Sequence, residues 1–244
     1  MPDLYDDPEL YDLVAPRDEA MEQFYVEVAG GHSRKVLELA CGSGRLTVPL
    51  AKSGALVTAG DISAMLDRAE AAARESAVDV SFVELDMRDF DLGTKFDVVV
   101  IAANSLMHLN TTEDLVRAMS AARRHLAPGG IFAFDIFVPS PSLLSLPSAQ
   151  RRPVGVFPHK HLGEVTVEET ITYDPVSQVS QADWYWSTKL DPTFRRTTIH
   201  MRQIYPQEMP LLLQLGGLTL ASRFGDFVRQ PLDPESWRQV CLCR

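Results

Sequence analysis

The chain is poor in the residues that staple a fold or carry positive charge. Among its 244 residues are only three cysteines, too few for a disulfide framework, which points to a reducing compartment. Lys and Arg number 23 against 33 Asp and Glu, a net charge of −10. Wrapping a nucleic-acid backbone needs clustered Lys and Arg, so that role is disfavoured. No stretch approaches the roughly 18 apolar residues of a membrane span. The acidic, proline-punctuated start is not expected to act as a secretory signal, which leaves the cytoplasm as the default location. Much of the acidic excess is local: residues 1–27 hold nine acids against Arg17 alone, and a solvated helix face explains them better than a lure for cationic substrates. What is abundant is apolar material, 45% of the chain, enough for one sizeable core with room for a subdomain.

The apolar residues are organised around Val36-Leu37-Glu38-Leu39-Ala40-Cys41-Gly42-Ser43-Gly44-Arg45-Leu46-Thr47. This reads as a strand, a two-glycine turn and a helix start. Glycines 42 and 44 let the backbone turn sharply and come close to a ligand. The next apolar run, Leu56 to Gly60, is closed by Asp61, placed where an acid accepts both hydroxyls of a ribose in nucleotide-binding doubly wound sheets. A nicotinamide fingerprint wants a third Gly or Ala three residues after the second glycine; Thr47 stands there. Glu38 is an acid in a strand expected to be wholly apolar. A nearby cation would give it a reason, because an unpaired buried carboxylate is costly; backbone N–H groups of the glycine turn are the alternative partner. S-Adenosylmethionine offers both a sulfonium and an ammonium.

Three more strands follow in order. Val80–Leu85 runs into Asp86-Met87-Arg88-Asp89-Phe90, Phe96–Ala103 into Asn104-Ser105-Leu106-Met107-His108-Leu109, and Ile131–Val138 follows the turn Ala127-Pro128-Gly129-Gly130. Between them Ser63 can cap a helix over 64–74, and Thr111 or Thr112 a helix over 113–126. Acids lead the second helix, and Arg123, Arg124 and His125 trail it as helix-end cations. Gly129-Gly130 is expected to stop it. In this arrangement the chain resembles the class I S-adenosylmethionine-dependent methyltransferases, nearest to bacterial small-molecule enzymes such as the amino-sugar and glycine N-methyltransferases.

That resemblance implies a doubly wound, mostly parallel seven-stranded α/β sheet, Rossmann-like, with S-adenosyl-L-methionine as cofactor. Ala40, Gly42 and Gly44 would pass under its methionine part, with Glu38 near the amine. Asp61 would hold the ribose, Ile62 would pack on the adenine, Asp86 would accept from its amino group, and Met87 would cover the ring. Residues Ala102, Ala103 and Asn104 would lie beside the sulfonium, Asn104 toward the acceptor. His108, in a Ser-x-x-His-Leu stretch like that of the amino-sugar enzymes, is the first choice of base, although a helix-start histidine satisfied by backbone is nearly as good a reading. Tyr5, grouped with it as catalytic, and Tyr11, as a cofactor contact, would form an N-terminal lid. Ala40 and Ser43 depart from the Gly and Thr common in the family. No metal is expected: Asp86, Asp89 and Asp91 lack the glycine and final Glu of a calcium loop.

Residues 139–205 separate this chain from a bare cofactor domain. A Pro- and Ser-rich linker leads to three expected antiparallel strands, 164–173, 181–190 and 197–205, separated by Asp-Pro turns. Val165, Val167, Glu169, Ile171 and Tyr173 share one face; so do Ala182, Trp184, Trp186 and Leu190, and then Ile199, Met201 and Tyr205. Glu169 in that apolar stripe sits either at a tolerant sheet edge or, with Trp184 and Trp186, against a polar group of the acceptor. Residues 207–215 read as a helix, and 218–226 and 238–243 as the last two strands, with Cys241 and Cys243 as packing residues. The expected division is a helical lid (1–35), a cofactor core (36–138), a linker and antiparallel substrate cap (139–205), and a C-terminal completion of the core sheet (206–244). The expected partner is a small-molecule acceptor, with neither nucleic acid nor membrane, and the chain is expected to be a monomer or homodimer. The leading function is methyl transfer to N or O of a small, specialised metabolite. An enzyme using the cofactor non-reactively, as in a cyclisation, and a non-catalytic cofactor-binding protein stay open.

Overall fold

The computed structural model describes residues 4–15, 17–62 and 65–244. The strands are β1 (Lys35–Leu39), β2 (Leu56–Asp61), β3 (Val80–Glu84), β4 (Phe96–Ile101), β5 (Leu126–Phe137), β6 (Arg152–His159), β7 (Gly163–Asp174), β8 (Val179–Thr188), β9 (Arg195–Arg202), β10 (Leu220–Phe224) and β11 (Arg238–Cys243). The helices are α1 (Pro8–Val14), α2 (Glu19–Ala29), α3 (Thr47–Lys52), α4 (Met65–Glu75), α5 (Thr112–His125), α6 (Pro141–Leu144) and α7 (Met209–Leu215), with short 3-10 turns at Leu4–Asp6 and Ser105–His108. The chain forms two compact units, one of residues 17–138 with 204–244, the other of 1–16 with 139–203. Residues 17–35, read with the lid from sequence, therefore group with the core.

The larger unit is a seven-stranded sheet in the order β10-β11-β5-β4-β1-β2-β3. β1 pairs in parallel with β2 and β4, β2 with β3, and β4 with β5, whereas β11 runs antiparallel to both β5 and β10. This is the expected mostly parallel doubly wound sheet. Its central strands are near-continuous apolar runs because both faces are covered: Val36, Leu37, Leu39 and Val98 to Ile101 are fully buried. On α5, Leu115, Ala118, Met119 and Ala122 recur at helical spacing and are likewise buried. The Thr111 hydroxyl caps this helix by accepting from Asp114 N–H at 3.0 Å. The helix ends at extended Leu126, before Gly129-Gly130, and β5 begins at that same residue. Ser63 lies outside the described residues.

His125, in the last turn of α5, packs inward rather than facing solvent at the helix end. Its ring is buried and stacked on Phe90 at 4.3 Å, Nδ1 donates to Ala121 O, and Nε2 accepts the Leu92 N–H. Cys241 and Cys243 are buried, unpaired packing residues, as expected.

The smaller unit is an antiparallel sheet of four strands, β6-β7-β8-β9, one more than the sequence suggests. Pro153 and Pro158 disguise β6, but it is an edge strand, where a missing N–H is tolerated, and it carries a bulge between Pro153 and Gly155. The alternation along β7 is as read: Val165, Val167, Glu169 and Ile171 face one buried side. That face covers the N-terminal segment, since Leu4 and Leu10 join Val165, Val167, Trp186 and Ile199 in one apolar cluster. An ion pair from Asp7 to Arg195 (3.3 Å) and a contact of the Glu9 carboxylate with the His159 ring (3.5 Å) tie the segment down. Two expectations fail at strand ends. Leu190 lies beyond β8 and is almost fully exposed, and Tyr205 lies beyond β9 in the larger unit.

Candidate active site

Parallel pairing puts the carboxyl ends of β4, β1, β2 and β3 side by side, the edge at which such sheets bind ligands. At the end of β1, Ala40, Gly42 and Gly44 all have positive φ (56°, 57° and 84°). Cys41 N–H still reaches Gly60 O (3.1 Å), and Gly44 N–H closes the turn on Cys41 O (3.1 Å). A Cβ on Gly44 would stand 3.1 Å from Ala69 Cα, so the turn packs directly on α4.

Two carboxylates frame this turn. Asp61, at the end of β2, receives Gly42 N–H and Ile62 N–H, each at 2.8 Å and each on a different oxygen. Glu38 is buried and accepts from the Thr47 hydroxyl at 2.6 Å. Burial pushes its carboxyl up to about 8; the Asp61 charge adds to this, and Thr47 and Arg45 oppose it. Thr47, which breaks the nicotinamide fingerprint, is thus the residue that orients Glu38. Ile62 presents its side chain to solvent, 66% exposed. A left-handed turn, a carboxylate at the end of β2, an exposed apolar side chain and a desolvated carboxylate suited to a cation are a donor set that fits S-adenosylmethionine.

The Asp86 carboxylate is already engaged. Arg88 donates to it from its backbone and bidentately from its guanidinium at 2.6–3.0 Å, which holds the carboxyl below its usual range. Met87 follows in the turn, half-buried.

At the end of β4, Ala103 and Asn104 form a left-handed pair (φ 55° and 64°). L-residues adopt this conformation at a cost of roughly 1–2 kcal/mol each, and such strain gathers at functional sites. The Asn104 Oδ1 is buried with no hydrogen-bond partner among the described residues. His108 ends the 3-10 turn that follows, half-buried. Beneath this loop lies a buried network that the sequence reading missed. Asp135 Oδ1 accepts from Tyr25 OH (2.7 Å) and Ala103 N–H (2.9 Å), and Oδ2 accepts from Arg238 (3.1 Å). Burial raises Asp135 against the opposing pull of Arg238, Tyr25 and the Ala103 and Asn104 N–H groups.

The remaining expected site residues belong to the smaller unit. Tyr5 and Tyr11 lie with ring centroids 5.4 Å apart. Glu169 is on the inner strand β7, not on an edge. Arg152 Nε donates to its Oε1 at 2.6 Å and Trp184 Nε1 to its Oε2 at 2.8 Å, so its cation comes from the neighbouring strand. Trp186 is fully buried with its indole N–H on Thr197 (3.0 Å), which makes it a core residue of this sheet. Trp184 stays partly exposed.

Comparison with known proteins finds methyltransferases. A family profile described as a methyltransferase domain matches residues 36–130. The cypemycin N-terminal methyltransferase of a Streptomyces species is 33% identical over 57% of this chain and 58% of its own. The dTDP-3-amino-3,4,6-trideoxy-alpha-D-glucopyranose N,N-dimethyltransferase of Streptomyces venezuelae is 37% identical over 41% of each chain. The chain thus spans about half the length of the curated relatives it matches. Among solved structures, the CcbJ methyltransferase of Streptomyces caelestis superposes with a TM-score of 0.85 at 27% identity, covering 99% of this chain and 98% of that one.

Proposed function

We propose that this chain, whose residues 36–130 match a methyltransferase-domain profile, is an S-adenosylmethionine-dependent enzyme that methylates an amine nitrogen of a small specialised metabolite. The observation that carries the reading is the pairing of Glu38 and Asp61 around a left-handed turn at the carboxyl ends of β1 and β2. The choice of nitrogen rests on the relatives, whose names specify the N-terminus of cypemycin and an amino sugar.

In this reading Ala40, Gly42 and Gly44 let the backbone lie against the methionine part, and Glu38 meets its ammonium. Asp61, at the end of β2, would hold the ribose hydroxyls, and Ile62 and Met87 would cover the adenine. Asp86 reaches the adenine amino group only with lone-pair capacity that Arg88 does not use. S-Adenosylmethionine, when bound, would supply an electrophilic methyl group for the amine nitrogen, with the C–S electron pair left on sulfur. The protein's part is alignment and exclusion of water. His108, four residues past Asn104, removes the proton that the methylated nitrogen must shed. Of Glu169, Trp184 and Trp186 in the smaller unit, only Trp184 is not buried. The three unpaired cysteines favour the cytoplasm, with the chain as monomer or homodimer.

The test is incubation with methyl-labelled S-adenosylmethionine and a panel of nucleotide-linked amino sugars, free amino sugars and peptide N-termini. The reading expects label in one amine class together with an equivalent of S-adenosylhomocysteine. Label in hydroxyl acceptors only, or in none, overturns it.

A further inference from the structure

Asp135 sits near the carboxyl end of β5 with no exposed surface, flanked by Phe134 and Ile136 and directly beside Val240 of β11. A carboxylate so placed is costly unless every lone pair is used. Its partners converge from three directions: Tyr25 from α2, Arg238 from β11, and the peptide N–H groups of Ala103 and Asn104 from the loop after β4. The last two are the pair with positive φ, and the side chain of the second carries the buried oxygen without a partner. Tyr25 and Arg238 are themselves buried and fixed. Tyr25 packs edge-on to Phe24, and Arg238 lies 4.2 Å over Phe227 and 4.1 Å over Trp237. A rigid anion thus pins two backbone donors in a conformation that L-residues avoid, and the strain is spent where one polar atom is left open.

Resting on the reading above, we propose that Asp135 is a positioning residue: with Tyr25 and Arg238 it locks the Ala103–Asn104 pair so that Asn104 Oδ1 accepts an N–H of the amine being methylated. Holding one N–H turns the nitrogen lone pair in a defined direction, and the left-handed pair sets that direction. Asn104 touches the acceptor; Asp135 acts only through it.

The experiment compares wild type, Asn104→Ala, Asp135→Asn and the double variant, using whichever panel amine the wild type methylates and S-adenosylhomocysteine as the binding probe. Each single variant is expected to lower kcat about ten- to a hundredfold, the loss of one hydrogen bond to a desolvated group. The S-adenosylhomocysteine Kd should stay within about threefold, and the double variant should be no slower than the worse single one, because both changes remove the same contact. Multiplying losses, or a Kd that worsens in step with kcat, overturn the proposal and leave Asp135 a general stabiliser. Should Asp135→Asn fail to fold for want of a charge opposite Arg238, Tyr25→Phe keeps the carboxylate and is expected to cost about three- to tenfold in kcat by the same criteria. If the wild type methylates nothing, the proposed function fails by itself. The positioning claim is then decided by a crystal structure of the Asp135→Asn protein with S-adenosylhomocysteine: Ala103 and Asn104 relaxed to negative φ support it, and a retained left-handed pair overturns it.

Discussion

Glu38 links the sequence to the chemistry most directly. An acid in an apolar strand is visible in the sequence, and its burial raises the carboxyl from 4.5 to about 8. The sign follows from linkage. The folded state holds a proton that the unfolded state has lost, so the contribution to stability is complete below about 4.5 and fades as pH rises through about 8. A cation set against Glu38 favours the ionised form. Binding of S-adenosylhomocysteine, which keeps the ammonium, should therefore release a proton near pH 7, and affinity should rise with pH by up to about tenfold per unit before flattening above 8. Calorimetry at pH 7 in phosphate and in Tris should give heats differing by one proton's ionisation enthalpy, and Glu38→Gln should abolish the difference. Buffer-independent heat in the wild type contradicts this. Glu169 carries the opposite expectation. With Arg152 and Trp184 on its two oxygens, Glu169→Gln should lower stability by about 1–3 kcal/mol, discounted for the part-exposed Arg152, and lower Tm without selectively raising the acceptor KM. A selective rise in KM with Tm unchanged would restore the acceptor role. Asp135 shows where reading by residue stopped short. It bears the same signature as Glu38, an acid amid Phe134 and Ile136, but its partners Tyr25 and Arg238 are 110 and 103 residues away, a distance no local pattern spans.

At the scale of elements, the turn after β1 makes the sharpest demand. Gly44→Ala puts a methyl 3.1 Å from the Ala69 backbone at φ 84°, so both position and conformation resist it. A loss of about 1–3 kcal/mol and at least tenfold weaker S-adenosylhomocysteine binding are expected. Gly93→Ala, at φ 61° with open space around it, should cost only about 1 kcal/mol and leave binding unchanged. Equal binding losses in the two would make the turn's role purely structural. The parallel strands were legible because each is an apolar run ended by a turn or an acid. β6 was hidden because Pro153 and Pro158 argue against a strand until its edge position is known. The start of β5 was hidden too, since Pro128, Gly129 and Gly130 look like a helix stop when the chain is already extended at Leu126.

For the whole molecule, the fold divides into two units with separate apolar clusters. The residues matched to the cofactor from sequence fall in one of them, apart from Tyr11. Sequence order conceals this grouping, because the smaller unit is assembled from the first residues and an insertion more than a hundred residues later. Donor binding should leave a local imprint on such a molecule, as a ligand protects the segments it orders. Amide hydrogen exchange with and without S-adenosylhomocysteine reads that imprint segment by segment. Slowed exchange is predicted over residues 40–44, 61–62 and 102–104, the carboxyl ends of β1, β2 and β4, with no change through the centre of β7. Unchanged exchange at those three segments, or protection confined to the four-stranded unit, would contradict the placement of the donor on which the proposed chemistry depends.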